Sequence, residues 1–293
     1  MRRTLEYAGA MLLFKSLELT PLPLARGLAS FYARALDRAV PRLRRVGRHN
    51  LAMAMPEKSA AEREAILDGT FRSIGRVLLA LARFPQIHSE NVAQWIRYHG
   101  YEHFTAAMAR GKGVLFATGH LGNWELSAFS HALMSAPMGV VVRPLDNPRI
   151  DDFIERRRAL SGNQLISKRD FARPILHALR RNEAVGILVD QNVVVDAGVF
   201  VDFFGTPACS GTTFAKIAAR SGAAVIPGFA FWSDAEQRHI LHFYPEVPIS
   251  GDADIDTAAI QKAVEIAIRE HPDQWLWIHR RWKTRPDGQP SLY

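Results

Sequence analysis

Cysteine is nearly missing from this sequence: Cys209 is the single one among 293 residues. One thiol excludes an intramolecular disulfide and a cysteine-based zinc site, and points to a reducing compartment. Nor is there an uninterrupted apolar run near the roughly 18 residues that a membrane-spanning helix requires. The run at residues 7–14 is short, lies between Glu6 and Lys15 and lacks a small-residue cleavage site, so it does not read as a signal peptide. The uncharged stretch 126–142 contains Pro137 and Gly139, which suits a helix, a turn and a strand rather than a span. Repeats, low-complexity tracts and long linkers are absent too. What remains, with 48% apolar and 23% charged residues, is an ordinary globular chain long enough for one large domain or a domain with a helical appendage.

The charge is unevenly spread. The net +8 comes from 37 basic and 29 acidic side chains, of which residues 1–112 hold 18 and 9 and the remainder 19 and 20. The whole surplus is therefore N-terminal. Arg34, Arg38, Arg42, Arg44, Arg45 and Arg48 crowd one stretch with only Asp37 opposing them in sequence. Such a face suits phosphate, of lipid or of nucleic acid, or is simply a solvated arginine face. Residues 1–40 mix Leu12, Leu13, Phe14, Leu17, Leu28 and Phe31 with basic side chains. Two readings are open: an interfacial amphipathic segment resting on a membrane, or a helix pair packed on the core.

Ser59 and Glu62 have capping-box spacing and predict a helix to about Arg83, stopped by Pro85. Residues 1–100 read as a helical region and 101–293 as an α/β domain, the two forming one continuous unit. From Gly113 onward, short apolar runs (114–118, 139–142, 184–189, 224–231) alternate with helical segments (126–134, 147–160, 172–181, 212–220). This alternation predicts an α/β fold with a central, mostly parallel sheet flanked by helices.

One strand of that pattern ends in Gly119-His120-Leu121-Gly122-Asn123-Trp124-Glu125. His120 falls at a strand's carboxyl end, where open α/β sheets bind ligands, and Glu125 in the first turn of the next helix. Five residues on a continuous helix would set the two side chains about 140° apart, so pairing them needs the turn that Gly122 allows. A histidine oriented by a carboxylate is a general-base arrangement. Arg143, Asp190 and Gln191 follow neighbouring strands and should face the same crevice. Arg143 is a candidate phosphate ligand; Asp190 either pairs with His120, binds an acceptor hydroxyl or caps a turn; Asn123 either contacts substrate or makes the turn. The spacing is not that of a zinc helix, and Cys209 reads as structural, not as a nucleophile. Phe203 and Phe204 are candidates for an acyl tunnel or for core packing. Residues 275–285 interleave Trp275, Trp277 and Trp282 with Arg280, Arg281, Lys283 and Arg285, a composition suited to a membrane interface or a phosphorylated headgroup, with Arg281 as a candidate substrate ligand. No nucleic-acid module signature is present, and a nucleic-acid partner is not expected.

Taken together, the blocks Gly119 to Glu125, Arg143-Pro144-Leu145-Asp146-Asn147, Asp190-Gln191-Asn192, Phe203-Phe204-Gly205 and the tryptophan-rich segment after Gln274 resemble the bacterial lipid A lauroyl and myristoyl acyltransferases, relatives of the acyltransferases of phosphoinositide mannosides. The resemblance covers most of the chain. It implies transfer of a fatty acyl chain from a thioester, on acyl carrier protein or coenzyme A, to a glycolipid hydroxyl, with a lipid A precursor as the first expectation and a phosphoinositide mannoside or lysophospholipid as the alternative. It further implies His120 as general base, Glu125 as its orienting acid, no cofactor or metal, and a peripheral or shallowly anchored place at the cytoplasmic face of the inner membrane. The sequence departs from the family pattern in its short, charged N-terminal segment and in Val193-Val194-Val195-Asp196-Ala197-Gly198, where relatives often carry basic residues. An acyl hydrolase and a non-enzymatic membrane-binding protein are the other classes.

Overall fold

Proline marks the first helix boundaries. Helix α1 (Arg2–Leu19) ends just before Pro21, α2 (Leu22–Ala39) has a proline in its first turn, and α3 (Pro41–Ala54) begins on Pro41, where the missing N–H costs nothing. Helix α4 (Ala60–Arg83) opens with the expected capping box, Ser59 accepting from the Glu62 N–H and Glu62 from the Ser59 N–H. The computed structural model describes residues 2–293.

Strand β1 (Ile96–His99) and helix α5 (Tyr101–Met108) lead into the alternating part: β2 (Val114–Thr118), α6 (Trp124–Met134), β3 (Gly139–Val142), α7 (Pro148–Ala159), β4 (Gln164–Ser167), α8 (Ala172–Arg180) and β5 (Ala184–Leu188). A two-stranded ribbon, β6 (Gly198–Phe203) with β7 (Thr206–Gly211), precedes α9 (Thr213–Ser221), β8 (Ala224–Ser233), β9 (Arg238–Phe243) and α10 (Ala253–Glu270). Seven strands form one sheet in the order β1-β9-β8-β2-β5-β3-β4. Every neighbouring pair is parallel except β8 with β9. The expected α/β class and mostly parallel sheet are thus observed. β1 lies within the region read as wholly helical; at four residues it is too short to reveal a period in the sequence.

Helices cover both faces. On one, Phe14, Leu17, Ala25 and Ala29 of α1 and α2 join residues of α4, α5 and α6 in a core cluster that includes Phe116 and Ile226 of the sheet. On the other, Ile175, Leu179, Phe214, Ile217 and Ile260 of α8, α9 and α10 pack on Leu115, Val185 and Val225. The core-packing reading of the N-terminal segment is observed on the inner side of α1 and α2, while Leu5, Leu12, Leu19, Leu24 and Phe31 project outward. Among the described residues no helix is long and apolar enough to cross a membrane.

The arginine-rich stretch is partly internal. Arg44 forks onto Asp37 and reaches Glu64 and Asp68, and Arg48 pairs with Glu64. Two of those carboxylates lie more than a helix away in sequence, on α4. Arg34, Arg38, Arg42 and Arg45 stay exposed.

Gly122 supplies the turn after β2. Its φ is +65°, and a Cβ there would lie 2.0 Å from the Ala230 carbonyl oxygen. The Gly122 and Asn123 N–H groups donate to Gln274 and Ala230 carbonyls at 2.9 and 2.8 Å. Gly122→Ala is expected to cost at least about 1–3 kcal/mol, from left-handed strain together with a backbone clash, read by urea unfolding.

Candidate active site

Parallel pairing sets β2 beside β5 with Thr118 opposite Leu188, so the residues that follow, His120 and Asp190, emerge side by side at the sheet's carboxyl end. His120 Nδ1 lies 2.9 Å from Asp190 Oδ1, and the His120 backbone N–H donates to Asp190 Oδ2 at 2.7 Å. Trp275 Nε1 donates to the same oxygen at 2.8 Å. Gly119 allows this approach: a Cβ there would stand 3.0 Å from the Asp190 carboxyl carbon. Of the three roles open to Asp190 in the sequence, the geometry shows the pairing with His120.

Burial alone would raise the Asp190 pKa, but the adjacent His120 charge and the donors from His120 and Trp275 outweigh it and hold the carboxyl far below the usual carboxylate range. An ionised carboxylate only accepts, so Nδ1 carries a proton and Nε2 is the nitrogen left to face the cavity. Nε2 faces Gln191 Nε2 at 3.2 Å, and the Trp124 ring stands edge-on to the imidazole at 5.0 Å. The imidazole is thus oriented from behind and open in front.

Glu125 is elsewhere engaged. Both its oxygens accept from Arg158 of α7, at 2.8 and 2.6 Å, and the expected hydrogen bond to His120 is not formed. The reason is geometric: α6 starts at Trp124, and its first turn aims Glu125 at α7. Burial opposes the Arg158 charge, but Glu125 more than offsets it and the guanidinium pKa is raised.

In front of His120 opens a cavity of about 380 Å³. Its lining combines the exposed Arg143 and Lys168, which mark its mouth, with Gln191, the largely buried Glu125–Arg158 pair on its wall, and the buried Phe84, Phe116, Phe129, Met138, Leu241 and Phe243. His131 also borders it, bonded to Tyr98 Oη at 3.0 Å, with burial pushing its pKa down to about 4, so it is neutral near pH 7. Arg143 emerges after β3 at this mouth, as its position predicted, with a largely exposed side chain.

Other sequence-predicted residues have structural work. Asn123 is buried and caps α6, accepting from Leu126 N at 3.1 Å and donating to the Arg76 carbonyl. Arg281 does not reach the cavity. It is fully buried and donates to the Cys209 carbonyl, Ser210 Oγ and Gln261 Oε1, with burial lowering its pKa to about 10. Trp275, Trp277 and Trp282 are buried with Phe203 and Phe204 in a third core cluster, so they face neither a membrane nor an acyl chain. The segment instead clamps the histidine loop: beyond the Trp275 bond, the Leu276 N–H donates to the His120 carbonyl at 3.0 Å. Cys209 is buried and its thiol pKa raised by burial, in keeping with a structural role. Sequence reasoning missed Arg158, Lys168 and the Trp275 donor. Arg158 stands in a run of three arginines, and nothing local distinguishes it from Arg157, which pairs with Glu18.

The family described as bacterial lipid A biosynthesis acyltransferase matches residues 1–284 of this chain. The chain belongs to this family. It is 30% identical over 276 residues to the lipid A biosynthesis lauroyltransferase of Escherichia coli K12, covering 93% of this chain and 90% of that protein. It is similar also to the palmitoleoyltransferase of the same strain, 30% identical with 85% and 81% covered, and to its myristoyltransferase, 26% identical with 83% and 76% covered. This lipid A acyltransferase family member is accordingly an acyltransferase, and a site that pairs an oriented imidazole with an apolar cavity is what such chemistry calls for.

Proposed function

We propose that the protein transfers a fatty acyl chain from an acyl thioester, on acyl carrier protein or coenzyme A, to a hydroxyl of a lipid A precursor. The observation that carries this is the His120–Asp190 pair opening onto an apolar cavity with a basic mouth. The acceptor hydroxyl takes the place of the Gln191 amide at Nε2, within about 2.6–3.2 Å. His120 Nε2 removes its proton as the oxygen attacks the thioester carbonyl; the C–S bond then breaks, and the leaving thiolate takes the proton back. Asp190 holds the tautomer and stabilises the imidazolium. Transfer is direct: among the described residues no serine, threonine or cysteine side chain is hydrogen-bonded to His120 Nε2, which faces Gln191, so no activated nucleophile is present. Arg143 and Lys168 bind the anionic parts of donor or acceptor at the mouth, and Gln191 positions the hydroxyl. Glu125 acts through Arg158, which it holds on the cavity wall.

The acyl chain lies along Phe116, Met138 and Phe243. Gly228 borders this space, and a Cβ there would meet Phe116 at an ordinary 3.7 Å. Gly228→Val is therefore expected to fold and to disfavour the longest chain by about tenfold or more relative to one shorter by two carbons, measured as transfer rates over a thioester series.

The outward Leu5, Leu12, Leu19, Leu24 and Phe31 support a peripheral seat on the cytoplasmic face of the inner membrane. Asn147, beside the cavity mouth, donates to the Arg3 carbonyl of α1 at 2.8 Å, so this face and the mouth adjoin. Mass spectrometry of total lipids from cells with the gene, without it, and with only the His120→Ala form tests the reading. A lipid A species lacking one acyl chain in both deficient strains is the expected result; identical lipids in all three would overturn it.

A further inference from the structure

A second cleft, of about 220 Å³, lies between α2, α4 and the β8–β9 hairpin and shares no lining residue with the catalytic cavity. Arg26 and Arg76 both stand over one face or edge of the Trp232 indole, at 5.7 and 4.7 Å. Arg72 lines the same space. Against these three cations the lining offers one carboxylate, Asp234, which is 87% exposed and 3.7 Å from Arg76. Arg238 is already neutralised by Glu236. His239 stands across from Trp232 in the β8–β9 register, is 5% exposed, and its Nδ1 is buried with no hydrogen-bond partner among the described residues. Burial, with Arg76 and Arg26 nearby, lowers the His239 pKa to about 3, and burial lowers that of Arg76. Arg76 is part-buried, whereas Arg26 and Arg72 are exposed and Arg26 also donates to the side chain and carbonyl of Gln237. An orphaned imidazole nitrogen beside a part-buried guanidinium is costly without an anion, and guanidinium donors match phosphate oxygens in geometry.

We propose that this cleft binds a phosphate ester group. Arg26, Arg72 and Arg76 supply the charge and the hydrogen bonds, and the His239 Nδ1 position takes up a further phosphate oxygen. The cleft continues past Ser30 and Arg72 into a groove bearing Arg34 and Arg38. At about 100° per residue, those two arginines separate the cleft side of α2 from its exposed Leu24 and Phe31. A phosphate seated here thus has an apolar strip close by, which favours an anionic lipid headgroup over a soluble phosphate as its source. The proposal does not depend on the acyl-transfer reading.

The test uses the full chain and two probes, inorganic phosphate followed by calorimetry and vesicle flotation with phosphatidylcholine alone or mixed with phosphatidylglycerol. Arg26→Gln/Arg72→Gln is compared with Arg42→Gln/Arg45→Gln, which removes the same charge from exposed positions outside the cleft, and thermal unfolding checks that both fold. The cleft variant should weaken phosphate binding about tenfold or more while the control stays near wild type. Parallel loss of flotation on the mixed vesicles, with phosphate competing in the wild type, marks a lipid headgroup as the source; loss of phosphate binding with unchanged flotation marks a soluble phosphate, and both support the site. Equal effects of the two double variants, or a wild type that neither binds phosphate saturably nor prefers the mixed vesicles, would overturn it. Acyl transfer to detergent-dispersed acceptor should be unchanged in the cleft variant, so a failure here and a failure of the transferase reading are told apart.

Discussion

His120→Ala is expected to lower acyl transfer by a factor on the order of 10²–10⁴ or more while leaving a folded protein, because it removes the base and touches little else. The imidazole is 15% exposed and borders the open cavity, so water can reach the space it leaves. Asp190 keeps two of its donors in the variant, the Trp275 indole and the backbone N–H of residue 120. The lost hydrogen bond should cost roughly 1–3 kcal/mol, a fraction of the stability of a domain. Single-turnover transfer together with urea unfolding checks both halves. Transfer near the wild-type rate would refute the mechanism, and collapse of the fold would assign His120 a structural role.

Asp190→Asn is expected to damage both activity and stability. An asparagine in the same place can present its amide nitrogen to Nδ1, which favours the tautomer with the proton on Nε2, where no base is then available; a loss on the order of 10²–10⁴ in rate follows. Stability should fall by roughly 1–3 kcal/mol, since the charge-assisted bonds that the buried carboxylate accepts are replaced by weaker neutral ones. The pH dependence has a definite sign. The folded pKa of Asp190 lies below its unfolded value, so its ionisation stabilises the fold above the ordinary carboxylate range, and this contribution is lost as pH falls toward the folded pKa. The stability gap between wild type and Asp190→Asn should therefore shrink as pH falls below about 4–5, as followed by urea unfolding across that range. A gap that does not shrink as pH falls below the ordinary carboxylate range would contradict an ionised Asp190.

These two variants also divide the roles that a sequence motif tends to merge. Glu125 is five positions from His120 and has the chemistry of an orienting acid, yet it is bound to Arg158, whereas the carboxylate that meets the imidazole is 70 residues away. A short spacing is a poor guide where a turn intervenes, because Gly122, with its φ of +65°, redirects the chain between the two side chains.

Much of this protein was legible in its residues alone. The capping box at Ser59, the asparagine and proline that open α7, and the alternation of apolar runs with helices from Gly113 are local signals, and local signals act through the backbone of their own segment. His120, Arg143, Asp190 and Gln191 could be assigned to one crevice because each follows a strand, and parallel strands deliver their carboxyl ends to one edge. Only the tertiary structure decided which of these groups touch, since contact between β2 and β5 depends on strand order and register that no short window contains. The same holds for the tryptophan-rich segment: rings beside cations look interfacial in sequence, but the fold buries Trp275, Trp277 and Trp282 and turns Trp275 into the third donor to Asp190. Burial is a property of the packed molecule, and the free energy gained by removing these large rings from water outweighs the preference their composition suggests.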